Sequence, residues 1–300
     1  MDGQAQIAPA NLPVELPQAS LQTALYTALA LIAFAANSIL CRLALSSADA
    51  DPASFTAIRL ASGATVLVLL TRGRGKIPDQ RIGGNWQSAM WLFLYAVMFS
   101  FAYLRLTTGM GALILFAAVQ LTMIGAAMRS GERPKPFQLF GVVTAFAGLA
   151  YLVFPGLSAP APSSAALMAL AGISWGMYSL RGRNQGDPLT TTSGNFLRAL
   201  PFAIIFSALA IGGAKISRAG ILCAVLSGAL ASGLGYAVWY AALRRLTALR
   251  AATVQLAVPV ITALAGVAFL SEKLTLRLTV SAAAILAGIT ITLRTRAGGR

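Results

Sequence analysis

The sequence predicts an all-α membrane protein: ten transmembrane helices arranged as two inverted five-helix repeats. Three observations carry that expectation. The 300 residues are 57% hydrophobic and only 10% charged, where a soluble domain carries about 25% charged residues. Ten apolar stretches long enough to span a bilayer follow one another along the chain. Short motifs also recur at an offset of 139 or 140 residues. So few charges leave an apolar surface that only lipid can cover. At ~20 residues per span, ten helices use about two thirds of the chain.

Residues 1–20 carry Asp2 and Glu15, no Lys or Arg, and Pro9, Pro13 and Pro17. A signal peptide opens on a basic region, and prolines at this spacing break an interfacial helix. The segment is expected to be a mostly disordered cytoplasmic tail. The first repeat, 21–155, holds spans near 22–41, 53–71, 86–104, 110–128 and 137–155. Asn37 lies in the first, Arg59 in the second, Tyr95 and Phe99 at i, i+4 in the third, and Gln120 in the fourth, which Glu132 closes. A periplasmic linker, 156–163, leads to the second repeat, 164–296, with spans near 164–181, 192–211, 219–242, 250–270 and 275–293. The sixth carries Gly172-Ile173-Ser174-Trp175-Gly176 and then Tyr178; the seventh carries Arg198. The eighth pairs small residues (Gly228, Ala231, Gly233, Gly235) with Tyr236, Trp239 and Tyr240. The ninth holds Gln255 and Pro259 and is closed by Glu272; residues 297–300 form a cytoplasmic end.

The net charge of +15 raises nucleic acid as a partner, but the basic residues sit in short runs between spans, where they act as topology signals. With both termini in the cytoplasm, fifteen Lys and Arg fall inside, against six outside (Arg42, Arg105, Lys215, Arg218, Lys273 and Arg277). That is the positive-inside orientation of a multi-pass protein of the bacterial inner membrane. Arg105-Leu106-Thr107 recurs as Arg245-Leu246-Thr247 and Ala147-Gly148 as Ala287-Gly288, both displaced by 140; Arg59 meets Arg198 at 139. Five spans per copy is an odd number, so the second copy enters the membrane from the opposite face. Such repeats serve alternating access, with the solute held near the midplane.

The five-plus-five arrangement, the Arg in the second and seventh spans, and the Glu closing the fourth and ninth (Glu132, Glu272) resemble the drug/metabolite transporter superfamily, EamA type. The likeness covers nearly the whole chain. The Gly172–Gly176 run and the aromatic third and eighth spans make it closest to a bacterial amino-acid exporter. The resemblance implies a basket of ten helices around a central cavity lined by the first, third, fourth, sixth, eighth and ninth. It also implies export of aromatic and other neutral amino acids.

Each candidate residue has a plainer reading beside the functional one. The Gly172–Gly176 run matches a hydrolase nucleophile elbow, which needs a strand-to-helix turn and a His base; this is an apolar helix in a chain without His. Gly172 and Gly176 suit close helix packing, leaving Trp175 and Tyr178 to face a pocket. Tyr236, Trp239 and Tyr240 share a helical face, as do Tyr95 and Phe99; they either wall a pocket for a flat apolar group or pack as core. Asn37 is a candidate ligand for a solute's ammonium or carboxylate, whereas interhelical hydrogen bonding suits Gln120 and Gln255 equally. Pro259 is a possible hinge site. Arg59 and Arg198 are candidate carboxylate anchors, but a single carboxylate needs one Arg rather than a mirrored two. Both lie about two turns from a span end, so they read as structural residues within reach of snorkelling, with Glu132 and Glu272 structural as well. Cys41 and Cys223 read as buried hydrophobes rather than a disulfide or metal pair.

A solute carrier is thus the leading expectation, with a multidrug or other metabolite carrier as the alternative and a membrane-embedded enzyme or sensor as the non-transport rival. An enzyme lacks its titratable centre, since every Asp and Glu falls in a tail, loop or helix end. The same fact favours facilitated transport over proton coupling. The expected partners are a small-molecule substrate and the lipid bilayer, not nucleic acid; a monomer suffices, and no cofactor or metal is expected.

Overall fold

The computed structural model describes residues 18–73, 83–129, 136–154, 159–182, 185–210, 213–246, 251, 254–255 and 257–294. Within them every regular element is helical, apart from one isolated antiparallel bridge between Ala50 and Ile216. The helices are α1 (Gln18–Ser46), α2 (Pro52–Gly73), α3 (Trp86–Ala102), α4 (Thr108–Arg129), α5 (Pro136–Val153), α6 (Pro162–Gly182) and α7 (Pro188–Leu209). The remaining three are α8 (Arg218–Leu243), α9 (Ala257–Leu270) and α10 (Leu276–Arg294). Each predicted apolar stretch coincides with one of them. By length and composition five are able to cross a membrane (α1, α2, α8, α7 and α4 as far as Ala126); α3, α9 and segments of α5 and α10 are shorter apolar helices. Residues 1–17 of the expected tail, Glu132, residues 156–158 of the linker and the end 297–300 lie outside the described residues.

Two boundaries correct the sequence reading. Helix α1 already includes Gln18, the first described residue, so residues 18–20 of the expected tail are helical. It continues to Ser46, so Arg42 lies within the helix rather than in an outer loop. Asp51-Pro52 and Asp187-Pro188 start α2 and α7. Asp51 Oδ1 accepts from the Ala53 and Ser54 amides at 3.0 and 2.9 Å, and Asp187 Oδ2 from the Thr190 amide at 2.9 Å. Proline at the first helical position has no amide to leave unpaired. Asn85 and Ser217 cap α3 and α8 through their own side chains.

Helices of the first half pack antiparallel on helices of the second. Near one end of the α2–α7 pair, the Ser207 hydroxyl donates to the Ala53 carbonyl at 3.4 Å; further along, Gly63 lies against Phe196. In the α5–α10 pair Arg277 donates to the Phe154 carbonyl at 2.6 Å, Gly148 abuts Ala284, and Gly288 abuts Ala145. Helix α4 sets its first turn, at Thr108 and Gly109, against Thr262, Ala263 and Gly266 of α9. Helix α1 runs antiparallel to α8, with Ala33 beside Gly235 and Asn37 beside Ser227. Helix α6 likewise opposes α3, its Arg181 bonding Ser88 and Asn85.

The connections lock these pairs. Asp49 accepts from the Ser47 and Ser217 hydroxyls at 2.6 and 2.8 Å, bonds that hold its carboxyl below its ordinary value. For Asp51, burial acts upward, but hydrogen bonds from Ser54, Lys215 and Ala53 outweigh it and leave the carboxyl low. Large apolar side chains cover the outside of the bundle, among them Phe140 on α5, Ile204 on α7, Leu264 on α9 and Leu276 on α10. Exposed apolar side chains on this many helices belong in lipid.

Candidate functional site

Aromatic side chains from four helices converge in the middle of the bundle. On α6, Gly172 and Gly176 turn toward α4, where added methyl groups would strike the Leu115 carbonyl and Thr122. That close approach rotates Trp175 inward. Its ring lies 5.1 Å from Tyr95 of α3, 4.6 Å from Tyr236 of α8 and 5.4 Å from Phe34 of α1. Its indole nitrogen donates to Gln255 at 3.4 Å. Phe34 also meets Tyr236 and Trp239, edge on, at 5.9 and 5.6 Å. Phe99 extends the cluster along α3 at 5.3 Å from Tyr95. Edge-on and tilted pairs at these spacings are the favoured aromatic geometries.

The inward turn of α8 has a local cause. Ser227–Leu234 is a π-helical segment between two α-helical ones, and each extra residue in such a turn rotates the following face by about 100°. Its small side chains allow α2 to press against it: a methyl on Gly228 would strike the Arg59 carbonyl and the Ser62 hydroxyl. The segment presents Ser227 and Ser232 to α1, and Tyr236, Trp239 and Tyr240 follow on the buried side.

Beneath the rings lies a polar knot around Arg59. Its Nε donates to Ser232 at 2.9 Å, and its Nη2 to the Tyr236 and Tyr95 hydroxyls at 2.7 and 3.3 Å. Tyr236 bonds Tyr95 at 3.2 Å. Asn37 donates to the Tyr95 hydroxyl at 3.2 Å and accepts from Ser227 at 2.6 Å. The guanidinium carbon sits 5.2 Å from the Tyr95 ring centre and 5.1 Å from that of Phe99, within cation–π range. Arg59 is 1% exposed, so it does not snorkel as its distance from the span end suggested. Removing a guanidinium from water without a counter-ion costs several kcal/mol.

All eight aromatic and amide candidates from the sequence are buried: Asn37, Tyr95, Phe99, Trp175, Tyr178, Tyr236, Trp239 and Tyr240. Burial excludes lipid contact and an interfacial belt for the rings. Six of them meet at the centre; Tyr178 and Tyr240 form an arm leading away from it. These two stack at 5.4 Å with 27° between planes, and the Tyr240 hydroxyl donates to the Tyr178 carbonyl at 3.2 Å. Arg198 stands apart, its Nη1 donating to the Gly83 and Gly194 carbonyls at 2.7 and 3.0 Å. Glu272, after α9, accepts from the amide and hydroxyl of Thr108 at 2.9 and 2.5 Å and lies 3.7 Å from Arg42. Phe34, Ser227 and Ser232 were missed. Phe34 precedes Asn37 by three residues, which places it on the same helical face; the serines were hidden in a run that reads as packing.

Among the described residues no group of three or more His, Cys, Asp or Glu is placed to hold a metal. The described carboxylates occupy connections: Asp49 and Asp51 before α2, Asp187 before α7, Glu272 after α9. What the centre brings together is a packed group of rings, tilted and edge-on to one another, beside the hydrogen-bond donors of the Arg59 knot.

A model of the EamA-like transporter family matches residues 162–294. The chain is 49% identical to the uncharacterized protein PA1977 of Pseudomonas aeruginosa, over 92% of this chain and 96% of that one. It is 26% identical to an uncharacterized transporter of Archaeoglobus fulgidus, over 68% of this chain and 74% of that one. A crystal structure of a protein 19% identical superposes with a TM-score of 0.65, over 91% of this chain and 97% of its own; at that identity the likeness is one of fold.

Proposed function

The chain belongs to the EamA-like transporter family, a family of multi-pass membrane transporters, and from that premise we propose that it exports aromatic and other neutral amino acids across the bacterial inner membrane. The observation that carries the reading is the convergence of Phe34, Tyr95, Trp175 and Tyr236 over the Arg59 knot. Rings from both halves of the chain supply surface for a flat apolar side chain, and the knot supplies polar partners for the charged end. A carrier selective for cationic drugs fits worse, because a buried guanidinium repels a second cation.

Ten spans in two inverted halves remain our reading of the architecture. The antiparallel pairing of α2 with α7 and of α5 with α10 supports it, because these are helices that the sequence offset makes equivalent. Equivalent helices running in opposite directions are what inversion requires. In the proposed cycle the halves rock about the central cluster, opening it first to the cytoplasm and then to the periplasm. The termini lie in the cytoplasm, as the charge distribution favours, and transport is facilitated, since none of the described carboxylates lies in the centre.

The test is efflux from proteoliposomes preloaded with labelled tryptophan or threonine. Saturable efflux that is lost in Trp175→Ala, with a rate unchanged by a pH gradient, is the expected result. Efflux equal to that of protein-free vesicles for every amino acid tried overturns the substrate assignment, and acceleration by a pH gradient overturns the facilitated mechanism.

A further inference from the structure

The donors around Arg59 outnumber the acceptors. Asn37 Oδ1 is taken by Ser227 and Ser232, and the Tyr95 hydroxyl receives bonds from Asn37, Arg59 and Tyr236. Arg59 Nη1, although buried, has no hydrogen-bond partner among the described residues. Neither has the indole nitrogen of Trp239, one helical turn beyond Tyr236. Buried donors in folded proteins are almost always satisfied, so two orphans in one cluster need an explanation.

The second half of the chain shows what a purely structural arginine looks like at the matching position. Arg198 spends its Nη1 on two backbone carbonyls and thereby ties the segment before α3 to α7. Arg59 instead keeps Nη1 buried without a hydrogen-bond partner among the described residues, while its other nitrogens engage the hydroxyls of Ser232, Tyr236 and Tyr95. The described carboxylates lie away from the knot: Glu272 is beside Arg42, and Asp49, Asp51 and Asp187 occupy the connections before α2 and α7. The cluster therefore holds a positive charge, surplus donors and no internal anion.

We infer that Arg59 is the anchor for the carboxylate of the carried solute, received at its free Nη1 edge while Tyr95 and Tyr236 fix the guanidinium plane. Nε and Nη2 are taken by Ser232, Tyr236 and Tyr95, so the carboxylate is received by the N–H donors of Nη1 alone, as a charge-assisted contact with a single negative charge. A phosphate would bring nearly two charges to a single cation. With the carboxylate held there, the solute's side chain extends along Trp175 and Phe34. This inference rests on the proposed transport of amino acids and assigns one of their groups to one residue.

Calorimetric titration of the purified protein with indole-3-propionate and indole-3-propionamide tests it, because the two probes differ only in carboxylate against neutral amide. Wild type is expected to favour the acid by about 10- to 100-fold, the range for a charge-assisted pair in a buried site. Arg59→Gln should bring the two affinities together by weakening the acid alone. Arg59→Lys, which keeps the cation and covers the case in which Gln does not fold, should narrow the ratio. Equal binding of acid and amide by wild type, a wild-type ratio in both variants, or binding of neither probe overturns the anchor. Tryptophan efflux without acid preference leaves the transport reading standing and the anchor refuted. Arg59-dependent acid preference without efflux of any amino acid does the reverse.

Discussion

Gly228 marks the place where α2 crosses the π-helical segment, and replacing it with Ala tests whether that crossing holds Arg59 in position. The added methyl would lie 2.7 Å from the Arg59 carbonyl carbon, where ordinary van der Waals contact begins at 3.4 Å. The Arg59 carbonyl oxygen lies nearer still, so a shortfall of at least about 0.7 Å falls on backbone, with no flexible side chain to absorb it, and the helices themselves must separate. Overpacking of this kind costs about 1–3 kcal/mol, and the better helix propensity of Ala returns about 1 kcal/mol. We take the upper part of that range because backbone meets backbone, giving a net loss of about 1–2 kcal/mol and a Tm lower by roughly 3–6 °C.

The assay can use the protein's own thiols. Cys41 and Cys223 are both free and buried, so a thiol-reactive dye reports on heating when the bundle opens. Gly125→Ala in α4 is the internal control. Nothing lies within 4 Å of its added methyl, and removing a helix-interior glycine should raise Tm by roughly 2–3 °C. A Gly228→Ala protein that melts at or above wild type, beside a Gly125→Ala protein that rises as expected, would refute the close crossing.

Two further predictions concern the ends of the bundle. Glu272→Ala removes the acceptor for two Thr108 donors at the start of α4 and the partner of Arg42; it should destabilise by about 2–4 kcal/mol, with Glu272→Gln intermediate, read in the same melt. A Glu272→Ala melt equal to wild type would show that the contact carries no stability. For Asp49 and Asp51 the folded-state values lie below the ordinary one. Their contribution is therefore complete above about pH 4 and is lost as pH falls through the lower folded values. Melts from about pH 6 to about pH 2.5 should show Asp51→Asn with a shallower acid decline than wild type, and parallel curves would contradict the assignment.

Much of this architecture could be read from residue types and their spacing. Apolar stretches locate helices because lipid selects for them, and Asp51-Pro52 and Asp187-Pro188 begin helices through contacts made within a few residues. The site was legible as a set of faces: Tyr95 with Phe99, and Tyr236 with Trp239 and Tyr240. Two things were not legible. The π-helical segment depends on how closely α2 approaches Gly228, a contact between residues far apart in sequence. The setting of Arg59 depends on Ser232 and Tyr236, more than 170 residues further along the chain. Distance from a span end could not distinguish an arginine that snorkels from one drawn inward by partners on other helices.

The two halves agree in scaffold and differ at the centre, and that difference bears on function. Arg59 and Arg198 share a position in the offset, yet the first sits in a ring of hydroxyls and the second on backbone carbonyls. The first half contributes Asn37, Arg59 and Tyr95; the second contributes Trp175, Ser232 and Tyr236. A solute with a charged end and an apolar end cannot use two identical half-sites at once. In the proposed cycle, rocking between two access states would favour symmetric halves, because equivalent helices would then exchange places at similar energy. Recognition of an asymmetric solute requires the central side chains to depart from that symmetry. On the proposed reading, the divergence of the two arginines at matching positions, one bonded to backbone carbonyls and the other with a buried nitrogen that has no hydrogen-bond partner among the described residues, is the form such a departure would take.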